Sequence, residues 1–351
     1  MKKTVFIGSY TTPEAAGIRR AVIDTCEGTI SPLPVVPGVG NPIFFAENKA
    51  KDRLYVAQGE SPDAGRASGG TLAVYAVGAD FGLKLLDSRR FDFSVPCHIS
   101  LNPAGTKLLF AEYSLAHAGV LDLNADGTFA PGNGVVVHHE GRGPNAKRQE
   151  SAHCHCAVAS PDGATLFVCD LGTDTVNAYD LASPGLAPRP GLDFHALPGY
   201  GPRHLIFNAA GDRAYLVYEL ASAVQSFAFA DGALKPLQEP LSMLPPGCAC
   251  ETKAAAIRLS PSGKWLLASN RGHDSVAAFR VADDGTLADA PAISKLSGSF
   301  PRDFDFVGGT DCVILGHKMS DNVGLYRFDE ATGTLARLDA TLEMPRPLAF
   351  I

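Results

Sequence analysis

One pattern of apolar and polar positions recurs along the chain. An apolar strand runs into a tight turn that ends on glycine. A second apolar strand follows and closes on a polar side chain. The pattern occupies residues 99–112, returns over 157–170 and again over 205–219, and appears once more over 257–270. Its turn glycines, Gly105, Gly163, Gly211 and Gly263, recur about every 50 residues, the period of a multistranded repeat. Each unit continues with a third apolar strand, such as residues 275–279. A fourth follows an Asp-Gly turn, as at Asp126-Gly127 or Asp284-Gly285. Four short strands in about 40–50 residues make one blade of a β-propeller.

Weaker copies over 42–58 and 301–317 bring the inner strands to six. The seventh is split between the termini. Residues 345–351 match the start of the pattern and stop, and residues 4–10 read as its continuation. The expectation is an all-β, seven-bladed β-propeller occupying 1–351 as a single domain, with the C-terminal strand closing the first blade. Closure removes the unpaired sheet edges that would otherwise recruit other chains. Two segments exceed the period, 59–70 and 141–150; both are polar and glycine-rich, and both read as rim loops.

Composition agrees with this reading. The chain is 46% hydrophobic and 19% charged, with 36 Gly and 25 Pro scattered along it. Many short strands joined by many turns require that distribution. A net charge of −7 excludes a general nucleic-acid surface. The first apolar run is too short for a secretory signal, and no stretch approaches the roughly 20 apolar residues of a membrane span. The expectation is a soluble, cytoplasmic protein with no membrane and no nucleic-acid partner. Eight cysteines, at 26, 97, 154, 156, 169, 248, 250 and 312, are expected to be reduced thiols. Cys154 and Cys156 alternate with His153 and His155 in the manner of a metal cluster. On a regular strand that alternation sends histidines and thiols to opposite faces, so no metal and no cofactor is expected.

The repeat also serves as a ruler. The residue six before the turn position of Pro103 is Cys97. Its counterparts are His155, Arg203, Ala255, Arg302 and, in the closing strand, Arg346. The end of the second strand is polar in each clear copy: Glu112, Asp170, Glu219 and Asn270, with Arg271 directly after. A mostly basic and a mostly acidic ring are thus expected near one mouth of the channel. Glu112 and Asp170 read as structural hydrogen-bond partners. His155, Arg203 and Glu219 lie on successive blades and combine a proton carrier, a fixed cation and a carboxylate, the set that acid–base chemistry on an ester carbonyl uses. His153 reads as a supporting residue. His204 is expected to point away from Arg203, and Asp174, Asp274 and Asp321 to cap turns.

Several phrases carry a family resemblance: Gly8-Ser9-Tyr10-Thr11, Arg148-Gln149-Glu150, His153-Cys154-His155, Gly201-Pro202-Arg203-His204, Tyr218-Glu219-Leu220, Asn270-Arg271-Gly272-His273-Asp274-Ser275 and Phe300-Pro301-Arg302. Together they resemble the seven-bladed lactonase family, which includes the propeller type of 6-phosphogluconolactonase and the fungal carboxy-muconate cyclase. The resemblance implies that His155, Arg203, Glu219 and Arg271 are the catalytic set. Arg148, His153, Arg302 and Arg346 are the expected substrate-binding residues around it. The function implied is hydrolysis of a small acidic lactone, such as a sugar phospholactone, by activated water. In that reading Glu219 or His155 is the base, and Arg203 and Arg271 stabilise the oxyanion or hold an acidic group. No Gly-x-Ser-x-Gly nucleophile motif is present. A muconate-type cyclisation and a non-catalytic binding propeller are the alternative functions. The single Trp and four Met offer little of the rim hot-spot chemistry that the last would use.

Overall fold

The computed structural model describes residues 1–11, 16–59, 69–132 and 134–351. Most of the 59–70 insertion therefore lies outside the described residues. Seven antiparallel sheets form the chain, six of four strands and one of five. The inner strands are Gly40–Glu47, His98–Leu101, Cys154–Ala159, Pro202–Phe207, Lys253–Leu259, Pro301–Phe306 and Pro347–Phe350. Each touches the inner strand before and after it, and the last touches the first, which closes the ring. The closing strand pairs with Lys2–Ser9, placing Ile7 opposite Phe350 and Gly8 opposite Ala349. Blade 1 is thus shared between the two ends of the chain. Blades 2 to 7 follow in sequence.

The second strand of each blade reads as an unbroken apolar run because both of its faces are buried. Leu266 and Ala268 enter the core shared with blade 5, while Leu267 between them enters the core shared with blade 7. The same division yields seven hydrophobic clusters, one between each neighbouring pair of blades. A blade buries its two faces only against its neighbours, so closure is a condition of the core. Gly105, Gly163 and Gly263 turn between the first two strands with φ of 69°, 73° and 72°. A Cβ at any of them would meet nothing within 4 Å, so the left-handed backbone, not space, selects glycine there.

Asp174, Asp274 and Asp321 do more than cap turns. Asp174 accepts hydrogen bonds from the amides of Gly199 and Gly201, both at 2.7 Å. Asp274 accepts from Phe300 N at 2.7 Å and Asp321 from Arg346 N at 2.8 Å. Each carboxylate latches its own blade to the residue that opens the next inner strand. The expectation of reduced thiols fails at one place, where Cys248 and Cys250 are joined as a disulfide. The turn through Gly247, with Cys248 N donating to Pro245 O, folds the segment back on itself. No helix among the described residues is long and apolar enough to cross a membrane.

Candidate active site

The inner strands carry an irregularity at one repeated level. In blade 4 Cys154 faces Asp170 and Cys156 faces Cys169, so His155 is an extra, unpaired residue. Arg203 is extra in blade 5, between Pro202 opposite Tyr218 and His204 opposite Val217. Arg302 is extra in blade 7. Such bulges re-aim a side chain that a regular ladder would send into an inter-blade core. The ruler station of His155, Arg203 and Arg302 is thus a ring of bulged residues at the channel mouth. The bulge also inverts the alternation beyond it. Cys154 enters the core toward blade 3 and Cys156 the core toward blade 5, so the two thiols do not share a face. His204 for the same reason does not turn away: its ring lies 5.3 Å from those of His155 and His98.

The strand pairing corrects the second ring as well. Asp170 is paired like Tyr218, and His317 occupies the same place opposite Pro301. Glu219 therefore belongs one residue further on, with Tyr113, Leu171, Arg271 and Lys318. This offset separates the roles of the acids. Glu112 is spent on Ser94 Oγ and on the amides of Ser114 and Leu115. Asp170 accepts from the amides of His153 and Gly172 and from His139. Glu219 alone of the three turns into the mouth.

There Glu219 gathers three guanidiniums. Its Oε1 accepts from Arg148 Nη2 at 2.7 Å. Its Oε2 accepts from Arg203 Nε at 2.9 Å and pairs with Arg271 Nη2 at 2.7 Å. His155 Nε2 stands 3.8 Å from the same Oε2. Glu219 and Arg203 are each only 2% exposed. Burial by itself would raise the Glu219 carboxyl, but Arg271, Arg203, His155 and Arg148 together hold it well below its ordinary range. Burial, with Arg203 and Arg302 beside it, keeps the His155 imidazole well below its ordinary value and hence neutral. Arg203 itself is pulled down to about 9, by burial and then by Arg271.

Arg148 comes from the 141–150 loop, which buried Gln149 anchors by donating to Leu171 O at 2.9 Å. Arg148 Nη2 also donates to Tyr113 Oη at 3.2 Å, and the Tyr113 ring stacks on His153 at 4.3 Å. His153 Nδ1–H donates to Tyr113 O. His153 is thus a prop behind Tyr113 and does not touch Glu219 directly. Tyr113 itself escaped the sequence reading, although it occupies the station of Arg271. Arg302 contributes positive charge next to His155, Arg203 and Arg271 and forms no ion pair among the described residues. Arg271 lies over the Phe300 ring at 5.3 Å, and Lys318 over the same ring at 5.5 Å. Arg346 is exposed at the rim and is not drawn into the cluster.

His139, Cys154 and Asp170 bring one donor atom each within 4.8 Å of one another. His139 Nδ1 faces Asp170 Oδ2 at 2.9 Å and its Nε2 faces Tyr179 Oη at 2.8 Å. Both ring nitrogens are thereby engaged in a buried hydrogen-bond chain that ties blade 3 to blade 4.

The family description "Lactonase, 7-bladed beta-propeller" matches residues 4–351. The chain belongs to the seven-bladed β-propeller lactonase family. Among its relatives is the 6-phosphogluconolactonase of Bacillus subtilis, 30% identical over 348 residues, with 98% of this chain and 96% of that protein covered. An uncharacterised Lactococcus lactis protein is 32% identical, with 95% of each chain covered. The solved periplasmic gluconolactonase of Pseudomonas aeruginosa is 29% identical with a TM-score of 0.90, covering 100% of this chain and 99% of that one. Membership places this chain among lactonase-type enzymes acting on small molecules.

Proposed function

We propose that the protein hydrolyses an acidic sugar lactone, of the 6-phosphogluconolactone type, at the channel mouth. The observation that carries this reading is the imbalance of charge: Arg148, Arg203 and Arg271 close on the carboxylate of Glu219, and Arg302 adds a further cation beside Arg203 and Arg271. Arg302, which forms no ion pair among the described residues, is the cation left to meet an acidic group of a ligand. Arg203 and Arg271 are preorganised donors suited to the oxyanion that forms when the lactone carbonyl is attacked. His155 is neutral and takes the proton of the attacking group, then returns it to the ring oxygen. Glu219 serves as the fixed anion that holds the arginines and faces His155 Nε2; three guanidiniums leave it too weak a base to compete with the imidazole. The small-molecule names of two relatives, a 6-phosphogluconolactonase and a gluconolactonase, agree with a sugar lactone.

The test is a panel of sugar lactones with and without phosphate or carboxylate, assayed with wild type, His155→Ala and Arg302→Ala. His155→Ala is expected to lose about 10²–10⁴-fold in kcat. Arg302→Ala is expected to raise KM about 10–100-fold for acidic lactones only, as loss of a charged hydrogen bond does. Equal turnover of neutral and acidic lactones, unaffected by Arg302→Ala, would remove the acidic substrate.

A further inference from the structure

The nitrogen of His155 that does not face Glu219 faces a thiol. Cys97 Sγ stands 3.8 Å from His155 Nδ1, while His155 Nε2 stands 3.8 Å from Glu219 Oε2. The imidazole lies between a sulfur and a carboxylate, the nucleophile–base–orienter arrangement of covalent acyl transfer. Cys97 occupies the ruler station in blade 3 that holds His155 in blade 4 and Arg203 in blade 5. Its sulfur lies 3.5–3.6 Å from the carbonyls of His155 and Cys154, which keep it at the blade 3–blade 4 seam. Unlike Cys154, Cys156 and Cys169, which are fully buried in inter-blade cores, Cys97 is partly exposed at the mouth.

We propose that Cys97 is the nucleophile, so that lactone opening passes through a thioester. The inference rests on the hydrolase reading above and replaces direct attack by water with two steps. Burial, then the charge of Glu112, pushes the Cys97 thiol up to about 12, so it is protonated at rest. His155 Nδ1 therefore takes the thiol proton as Sγ bonds to the lactone carbonyl carbon. Negative charge gathers on the carbonyl oxygen beside Arg203, a cation that already draws the thiol downward. Collapse breaks the ring C–O bond, and the imidazolium returns its proton to the departing oxygen. Because the lactone is cyclic, no fragment leaves: the product is an open hydroxyacyl thioester on Cys97. Water then attacks the thioester carbon and gives a proton to His155. The C–S bond breaks, and that proton restores the thiol.

The experiment uses the full chain and a lactone that the wild type turns over. Wild type and Cys97→Ala are compared in kcat/KM and thermal stability. Both are also quenched in acid under saturating lactone, and their intact masses are measured. Expected are an unchanged melting temperature in Cys97→Ala, a loss of about 10³-fold or more in kcat/KM, and a wild-type adduct of the whole lactone mass that Cys97→Ala lacks. Cys97→Ser keeps a hydroxyl for the proton relay and is expected to retain more activity than Cys97→Ala. A folded Cys97→Ala within about threefold of wild type overturns the thioester and leaves the hydrolase reading standing with water as nucleophile. Lost activity without any wild-type adduct also overturns it and makes Cys97 a residue that positions His155. A wild type that opens no lactone overturns the hydrolase reading itself, and the thioester with it.

Discussion

Replacing Glu219 by Gln keeps the size of the side chain and removes its charge. In the native site that charge is shared by Arg148, Arg203 and Arg271 at 2.7–2.9 Å. Breaking a buried ion pair from one side costs about 3–5 kcal/mol, because the partner remains buried without its counter-charge. Two features temper the value here. Arg203 Nη1 keeps its hydrogen bond to Ala255 O, and Arg271 Nη2 keeps one to Ala254 O. Arg148 is about a quarter exposed and can turn to water. The lower end, about 3 kcal/mol, is therefore the expectation. For a chain of this size it lowers the melting temperature by about 4 °C, at about 1.4 °C per kcal/mol. The assay is thermal unfolding of both proteins at neutral pH, with lactone turnover measured on the folded variant. A variant that melts within about 1 °C of wild type would refute the argument that Glu219 neutralises the arginines. A variant that recovers wild-type turnover would show that the anion is not needed to hold His155 and the arginines in place.

Acid should destabilise the protein in two stages. His155 and His204 are held well below their ordinary value, first by burial and then by Arg203, and burial lowers His317 to about 4. The unfolded chain takes up these protons below about pH 6.5 while the fold does not, so stability is expected to decline from there downward. Glu219 adds the second stage: its contribution is complete above the ordinary carboxyl value of 4.5 and is lost as the pH falls toward its depressed folded value. Chemical denaturation from about pH 2 to pH 8 checks both stages, and Glu219→Gln should flatten the lower one. Asp174→Ala removes two charged hydrogen bonds between blades 4 and 5 and is expected to cost about 3 kcal/mol or more. An equilibrium unfolding curve unchanged from wild type would show that the latch carries no load.

The fold was legible because its physical cause is local and repeated. Blades 3 to 6 share the same turn glycine in the left-handed region, and the doubly buried second strand returns with it, so the chain repeats both at about 50-residue intervals. The split first blade was legible for the same reason, as a pattern that stops at Ile351 and resumes at Thr4. The bulges were not. A residue left out of a ladder looks like any other residue in a strand, and only the pairing of Cys154 with Asp170 and Cys156 with Cys169 exposes His155 as the extra one. That single unpaired residue defeats the alternation argument at Cys154 and Cys156, and its counterpart Arg203 does the same at His204. The acidic ring failed by one residue at Glu219, where Tyr218 takes the strand-end place that Asp170 holds in the preceding blade. Counting from the turn glycine instead of from the last polar residue would have set Glu219 beside Tyr113 and Arg271. It would also have found Tyr113.

The same offset explains how one repeat builds both scaffold and site. At the strand end, Glu112 and Asp170 face their own turns and are consumed by backbone amides that every blade must satisfy. One residue later the side chain is released from that role, and at Glu219 it turns into the mouth to meet three arginines. Residues at that later position differ sharply from blade to blade: Tyr113, Leu171, Glu219, Arg271, Lys318. The bulged level below is equally varied, with Cys97, His155, Arg203, Ala255 and Arg302. Variation at two structurally repeated levels is what a ring must show if one off-centre group of blades does the chemistry, and blades 3 to 7 supply every side chain named here. The accumulation is also costly for folding. Four arginines against one carboxylate, with Arg203 drawn down to about 9, is an arrangement that stability alone would not favour. Local rules broken at one mouth, on a scaffold that obeys them elsewhere, are the pattern expected of a functional site.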